Sequence, residues 1–123
     1  MKSAYSKEWG TSKQRRKQRK YQYNAPYHVR SRFLHVHLES ALRKKHETRS
    51  VRVRKGDTVK VLRGQSKGTI GKVDRVDMHK LRVYVHGVDR PKRDGSKLLL
   101  PLHPSNLMIT TLVSDKMRGL KNG

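Results

Sequence analysis

The stretch "KVLRGQSKGTIGKV", residues 60–73, sets Gly64, Gly68 and Gly71 among the cations Lys60, Arg63, Lys67 and Lys72. Two nucleotide-binding loops have a similar composition, and both fail on spacing. A P-loop needs Gly, four residues, then Gly-Lys-Ser/Thr, but the fifth residue after Gly64 is Thr69. A dinucleotide fingerprint needs Gly-x-Gly-x-x-Gly, and Gly68-x-x-Gly71 supplies only its second half. The flanks read as β structure instead. Val59 and Val61 alternate with Thr58 and Lys60 on one side; Leu81, Val83 and Val85 alternate with Arg82, Tyr84 and His86 on the other. That period of two gives a strand one apolar face. Between them Ile70, Val73 and Val76 are spaced by three, which predicts a bulge or sharp bend near Gly71. Asp94-Gly95 marks a hairpin turn, and Leu107, Ile109 and Thr111 form a last strand. The fold predicted for residues 51–113 is mainly β, a small bent barrel of about five strands.

Working outward, residues 1–50 read as a basic N-terminal extension with short helices, and 114–123 as a short C-terminal tail. "KQRRKQRK" (13–20) has six cations in eight residues and no apolar position. Its residues favour helix, with Thr11 or Ser12 as a cap, but so short a helix is marginal alone and is expected to take shape on a partner. Residues 25–48 predict two short helices. Pro26 suits a first helical position, Val29 and Phe33 share one face, and Leu38, Ala41 and Leu42 form a thin stripe on the second.

Charge narrows the function. Lys and Arg number 31 against 9 acids, a net charge of +22, where a small free-standing domain carries roughly 2–8. Residues 1–55 hold 17 cations against 3 acids, so the excess sits mainly outside the predicted barrel. Such self-repulsion makes a polyanion the natural partner. Apolar residues are only 33% of the chain, so the core must be small. There is no apolar run long enough to span a membrane and no secretory h-region. Cysteine is absent, which removes disulfides and thiolate zinc sites and suits an intracellular home.

Beyond the opening stretch, "GDTVKVLRGQSKGTIGKVDRVD" (56–77) resembles the KOW motif, which some transcription elongation factors also carry. The flanking blocks "KQRRKQRKYQYNAPYHVR" (13–30), "LRKKHETRSVRVRKGD" (42–57), "YVHGV" (84–88) and "LHPSNLMIT" (102–110) resemble large-subunit ribosomal protein 24 in its archaeal and eukaryotic form. The resemblance runs over about residues 11–115. Eukaryotic members usually carry a long basic C-terminal tail, so the chain resembles the archaeal form. The resemblance implies an SH3-like barrel that binds large-subunit ribosomal RNA near its 5′ end. It further implies a part in early subunit assembly and a place beside the exit of the nascent-peptide tunnel, in the cytoplasmic ribosome. Neighbouring ribosomal proteins are implied partners. The hairpin matching residues 88–101 lies near that exit in the family and is short here; it makes the nascent chain and targeting factors candidate contacts.

The residues expected at the RNA are Lys13, Arg15, Arg16, Lys17, Arg19 and Lys20 of the basic run, with Tyr21 and Tyr23 placed to stack on bases or riboses. Tyr27 is expected to cover the barrel instead. His28, Arg30, Arg32, Arg43 and Lys44 would grip from the helices. In the opening stretch Gly64 and Gly68 would let a phosphate approach while Arg63, Lys67 and Lys72 hold it. The competing account of each is an exposed charge on a solvated tail or turn. The seven histidines supply no metal pattern: His35 and His37 are two apart with no third paired ligand, and the His-x-Glu of "HLE" (37–39) lacks the cysteines that a zinc deaminase needs. No catalytic residue, metal or cofactor is expected. A KOW-type transcription or RNA-processing factor is the alternative, and a peptide-binding SH3-like module a weaker one, since the one tryptophan, Trp9, lies outside the barrel.

Overall fold

A computed structural model describes residues 5–118, so the first residues of the expected extension and the last of the expected tail lie outside the described residues. In chain order the elements are α1 (Arg15–Asn24), α2 (Tyr27–Phe33), β1 (His35–Leu38), α3 (Ser40–His46), β2 (Ser50–Arg52), β3 (Thr58–Val61), β4 (Ile70–Asp77), β5 (Arg82–Val85), β6 (Asp89–Pro91), β7 (Lys97–Leu99) and β8 (Leu107–Thr111). Single 3₁₀ turns occupy Pro104–Asn106 and Lys116–Arg118. Six strands make one sheet in the order β2-β1-β8-β3-β4-β5, antiparallel except where β1 runs parallel to β8. A two-way hydrogen-bonded bridge between Val83 and Leu102 ties β5 to the segment before β8. The result is the mainly β, barrel-like fold with N-terminal helices that the alternation predicts.

The inward residues are Leu34, Val36, Leu38, Val51, Val53, Val59, Val61, Val73, Val83, Val85, Val88, Leu107 and Ile109, all aliphatic and mostly valine. Each buried side chain of this kind contributes roughly 1.5–3 kcal/mol, which is how a third-apolar chain sustains a core. In β5 the alternation fails, because Tyr84 on the outer face is covered too: the Arg75 guanidinium lies 4.1 Å from its ring centroid. The Asp94-Gly95 turn forms as expected, with Gly95 at φ 88° and β6 paired to β7.

Three features depart from the expectation. The strand count exceeds five, and one strand comes from before residue 51. "HVHL" forms β1, its Val36 and Leu38 buried between β2 and β8, so Leu38 belongs to a strand and not to the expected helical stripe. Four residues are too few for the period of two to outweigh the helical pattern on either side.

The second is the bulge. It lies between Val73 and Arg75, where β4 stops pairing with β3 and pairs with β5. The extra residue, Asp74, explains the spacing of three: Val73 and Val76 both pack inward while Lys72, Asp74 and Arg75 face out. Gly71 answers to a different need, since a Cβ there would collide with the His86 carbonyl oxygen.

The third is the tail. Asp57 is wholly buried, and its carboxylate accepts the N–H groups of Arg54 (2.9 Å) and Val113 (3.0 Å) and pairs with the Arg118 guanidinium. Arg54 also pairs with Asp115. The described part of the tail is thus docked on the barrel.

Candidate nucleic-acid interface

The arm comes first. Arg, Lys and Gln favour helix, and Ser12 helps start it: its Oγ accepts the Gln14 N–H (3.2 Å) and its carbonyl accepts Gln18 Nε2 (2.6 Å). No residue of α1 is buried. Lys13, Arg15, Arg16, Lys17, Arg19 and Lys20 are exposed, and the sequence has no acid between Glu8 and Glu39 to neutralise them. Tyr21 is the exception. Its ring lies 4.9 Å from Trp9, 5.5 Å from Tyr5 and 6.3 Å, edge-on, from Phe33 of α2. Tyr21 therefore anchors the arm from within. Its hydroxyl meets that of Tyr5 at 3.4 Å, a hydrogen bond that raises the Tyr5 pKa. Tyr23 and Tyr27 remain open, 73% and 68% exposed. For Tyr27 this corrects the expectation that it covers the barrel.

Arg30 is corrected as well. It is buried, and its guanidinium donates to the carbonyls of Ala25 (2.9 Å), Tyr23, His79 (2.6 Å) and Met78 (3.4 Å). Those acceptors belong to the α1–α2 joint and to the turn after β4, so the Arg30 guanidinium is spent on clamping the arm to the sheet.

The glycine loop sits at the other end of β4. Gly64 and Gly68 adopt φ of 95° and 89° with open space where a Cβ would stand. Three of the loop's N–H groups are engaged internally: Lys67 donates to the Gly64 carbonyl, Gly68 to Val61 and Thr69 to Ser66. The side chains of Arg63, Lys67 and Lys72 around it are exposed. The loop abuts Ile70 and the Arg30 clamp follows Asp77. At most about 26 Å of extended chain separates the two groups of candidate residues.

Between them lies a feature the sequence reading missed. Arg52, Arg54, Lys55 and Arg75, with Val53 and Val76, line a cleft of about 350 Å³. The signal was present in "VRVRK" (51–55), where Val51 and Val53 point inward and the arginines between them outward. Of the remaining candidates, His28, Arg32 and Lys44 are exposed. Arg43 is half-buried, with its Nε donating to the Leu38 carbonyl at 2.7 Å. Arg43, Lys44 and Lys45 occupy the last turn of α3, where the helix dipole favours cations.

The titratable groups do not converge. Burial, reinforced by Arg52 and Arg32, lowers the pKa of His35; burial, with Arg43 and Arg49, lowers that of His37. His103 is lowered by burial and by Arg82. Asp77 accepts the N–H groups of Lys80 and His79, which hold its carboxyl below the usual range and cap the turn. Among the described residues no three histidines or carboxylates group to hold a metal ion, and no helix is long and apolar enough to cross a membrane.

The sequence comparisons fit this geometry. The family described as ribosomal proteins L26 (eukaryotic) and L24 (archaeal) matches residues 12–121. A large ribosomal subunit protein uL24 of Methanoculleus marisnigri is 55% identical over 108 residues, covering 87% of this chain and 89% of its own. The protein of that name from Methanospirillum hungatei is 51% identical over 111 residues (89% and 92%), and that from Methanothrix thermoacetophila 50% over 104 (85% and 90%). With a match that takes in the arm, the barrel and the docked tail, the chain belongs to the family of ribosomal proteins known as L26 in eukaryotes and L24 in archaea.

Proposed function

We propose that the protein is a structural constituent of the large subunit of the cytoplasmic ribosome that binds large-subunit ribosomal RNA near its 5′ end. It aids early assembly and lies beside the tunnel exit, next to other ribosomal proteins, with the nascent chain or targeting factors as further contacts of the β6–β7 hairpin. It is not an enzyme. The observation that carries RNA binding is the unneutralised arm: α1 has no buried residue, and six exposed cations, Lys13 and five within the helix, precede Tyr21. Such side chains neutralise phosphates and release counterions. A-form grooves admit little base reading, so shape and phosphate position supply specificity. The 5′-end and tunnel-exit placements rest on the resemblance of the sequence blocks. The transcription-factor alternative has lost its ground, because the family match extends well outside the KOW segment.

The test is binding of the full chain to separate domain transcripts of the large-subunit RNA across a salt series. Tightest binding is expected for the 5′ domain. Replacing Lys13, Arg15, Arg16 and Arg19 together with alanine lowers the slope of log K against log salt by about 3. Equal affinity for every transcript, or an unchanged slope, overturns the reading.

A further inference from the structure

Where the arm folds back on its own beginning there is a cavity of about 270 Å³ lined by Tyr5, Ser6, Trp9, Lys17, Lys20 and Tyr21. Lys17, Lys20 and Tyr21 share one face of α1, at spacings of three and four, and that face meets the preceding segment. Trp9 and Tyr5 both lean on Tyr21, at interplanar angles of 32° and 33°. At centroid distances of 4.9 and 5.5 Å each ring touches that of Tyr21, so together they form one aromatic wall of the cavity. All three are only partly covered. The volume falls just under the roughly 300–1,000 Å³ of small-molecule pockets, enough for one planar ring system.

The charge of the rim selects the occupant. An aromatic box can hold a cation such as a methylated ammonium, but here two lysines stand at the rim and no carboxylate lines it. A cation would be repelled. A flat ring carrying an anionic group is accepted: the aromatic faces take the ring, and the ammonium groups take the charge. Among RNA elements that describes an unstacked nucleotide, its base laid against the wall of rings on the cavity side and its phosphate against Lys17 and Lys20. Proteins read single-stranded or bulged positions by such stacking.

We propose that Tyr5, Trp9 and Tyr21, with Lys17 and Lys20, form a pocket for one flipped-out nucleotide of the RNA the arm binds. The inference rests on the RNA-binding reading and adds a base-stacking contact to an interface otherwise made of phosphate contacts. Folding α1 and inserting the base then become one event, since Tyr21 holds the arm together and forms a wall of the pocket.

Trp9 is the single tryptophan of the chain, so its emission reports the pocket alone. Titrating the full-length protein with single-stranded oligoadenylate of about ten nucleotides is expected to quench that emission saturably. Inorganic polyphosphate of equal charge binds the arm but leaves the emission unquenched. Trp9→Ala lowers affinity for the 5′-domain transcript roughly 5- to 150-fold, the range for one stacked base, with the salt slope unchanged. Trp9→Phe, which keeps a ring, recovers most of the loss and guards against an effect of misfolding. Equal quenching by polyphosphate, or no quenching by the oligonucleotide, overturns the pocket, as does unaltered transcript affinity in Trp9→Ala. Each leaves RNA binding by the cations standing, because that is read separately from the salt slope of the variant lacking Lys13, Arg15, Arg16 and Arg19.

Discussion

Thirteen aliphatic residues of the sheet region are withdrawn from water, while α1, ten residues long, withdraws none. Both regions are basic, yet they place their cations on opposite physical footings. In the sheet, part of the charge is absorbed into the fold, Arg118 against buried Asp57 and Arg75 over Tyr84, while Arg63, Lys67 and Lys72 stay exposed. In the arm, charge is left exposed, and the helix is held by the Tyr21 ring cluster on one side and the Arg30 clamp at its end. The sheet is therefore a rigid platform whose stability is its own. The arm draws its stability from a few aromatic and hydrogen-bonded attachments, and under the proposed function the RNA would complete it.

The comparison is broken most forcefully at Asp57. Asp57→Asn leaves the Arg118 guanidinium, 4% exposed, without its countercharge, and breaking a buried pair from one side costs about 3–5 kcal/mol. The expected drop in melting temperature is on the order of 10–20 °C, with α1 unaffected below the transition. Replacing both partners, Asp57→Asn with Arg118→Met, should return much of that loss, since the cation is removed with its countercharge and the amide oxygen still accepts a backbone N–H. A loss under about 1 kcal/mol in the single variant would show that the tail is not part of the platform.

Arg30 comes next in size and sharpens the boundary between the regions. Arg30→Lys retains the charge but cannot reach the carbonyls of Tyr23, Ala25 and His79 together. A charged hydrogen bond contributes about 1.5–3 kcal/mol, and a loss of about 3 kcal/mol is expected here. It should appear as an early loss of helical circular dichroism and faster proteolysis between residues 15 and 30, with the sheet melting later. A single coincident transition would mean that arm and sheet are one cooperative unit after all.

How far each region could be read beforehand follows from the same contrast. The platform was legible because one-sided burial writes a period of two into Val59, Val61, Val83, Val85, Leu107 and Ile109. The bulge was legible from the triple spacing, though not its residue: Asp74 carries no mark of being extra, whereas Gly71 draws the eye for a different reason, its closeness to the His86 carbonyl. β1 was hidden by its length. In the arm the cations were easily seen, but their division was not. Arg30 and Arg32 look alike in "HVRSRF", and only the fold turns one inward to the carbonyls. Likewise Tyr21, Tyr23 and Tyr27 are equivalent in sequence, yet one is a wall and two are exposed, because that choice depends on where Tyr5 and Trp9 return.

The smallest effect is expected from acid, and it falls on the platform. His35 and His37 flank Val36 on β1, and burial lowers both pKa values from 6.5, with neighbouring arginines adding to the shift. Above pH 6.5 the two are neutral whether the chain is folded or not. As the pH falls through that value the unfolded chain takes up protons that the folded chain resists, so stability declines with acidification until the folded groups titrate in turn. Between about pH 7.5 and about pH 5.5 the urea midpoint should fall, and it should fall less in His35→Gln/His37→Gln, which has no proton to take up at either site. α1 contains no histidine and no carboxylate, so a midpoint that moves equally in wild type and variant would place the acid response outside β1. Under the proposed function bound RNA should oppose the trend: phosphates beside Arg32, Arg43 and Arg52 would offset the positive charge that adds to burial in keeping these histidines neutral, so the complex would take up protons as it forms and binding would strengthen as the pH falls.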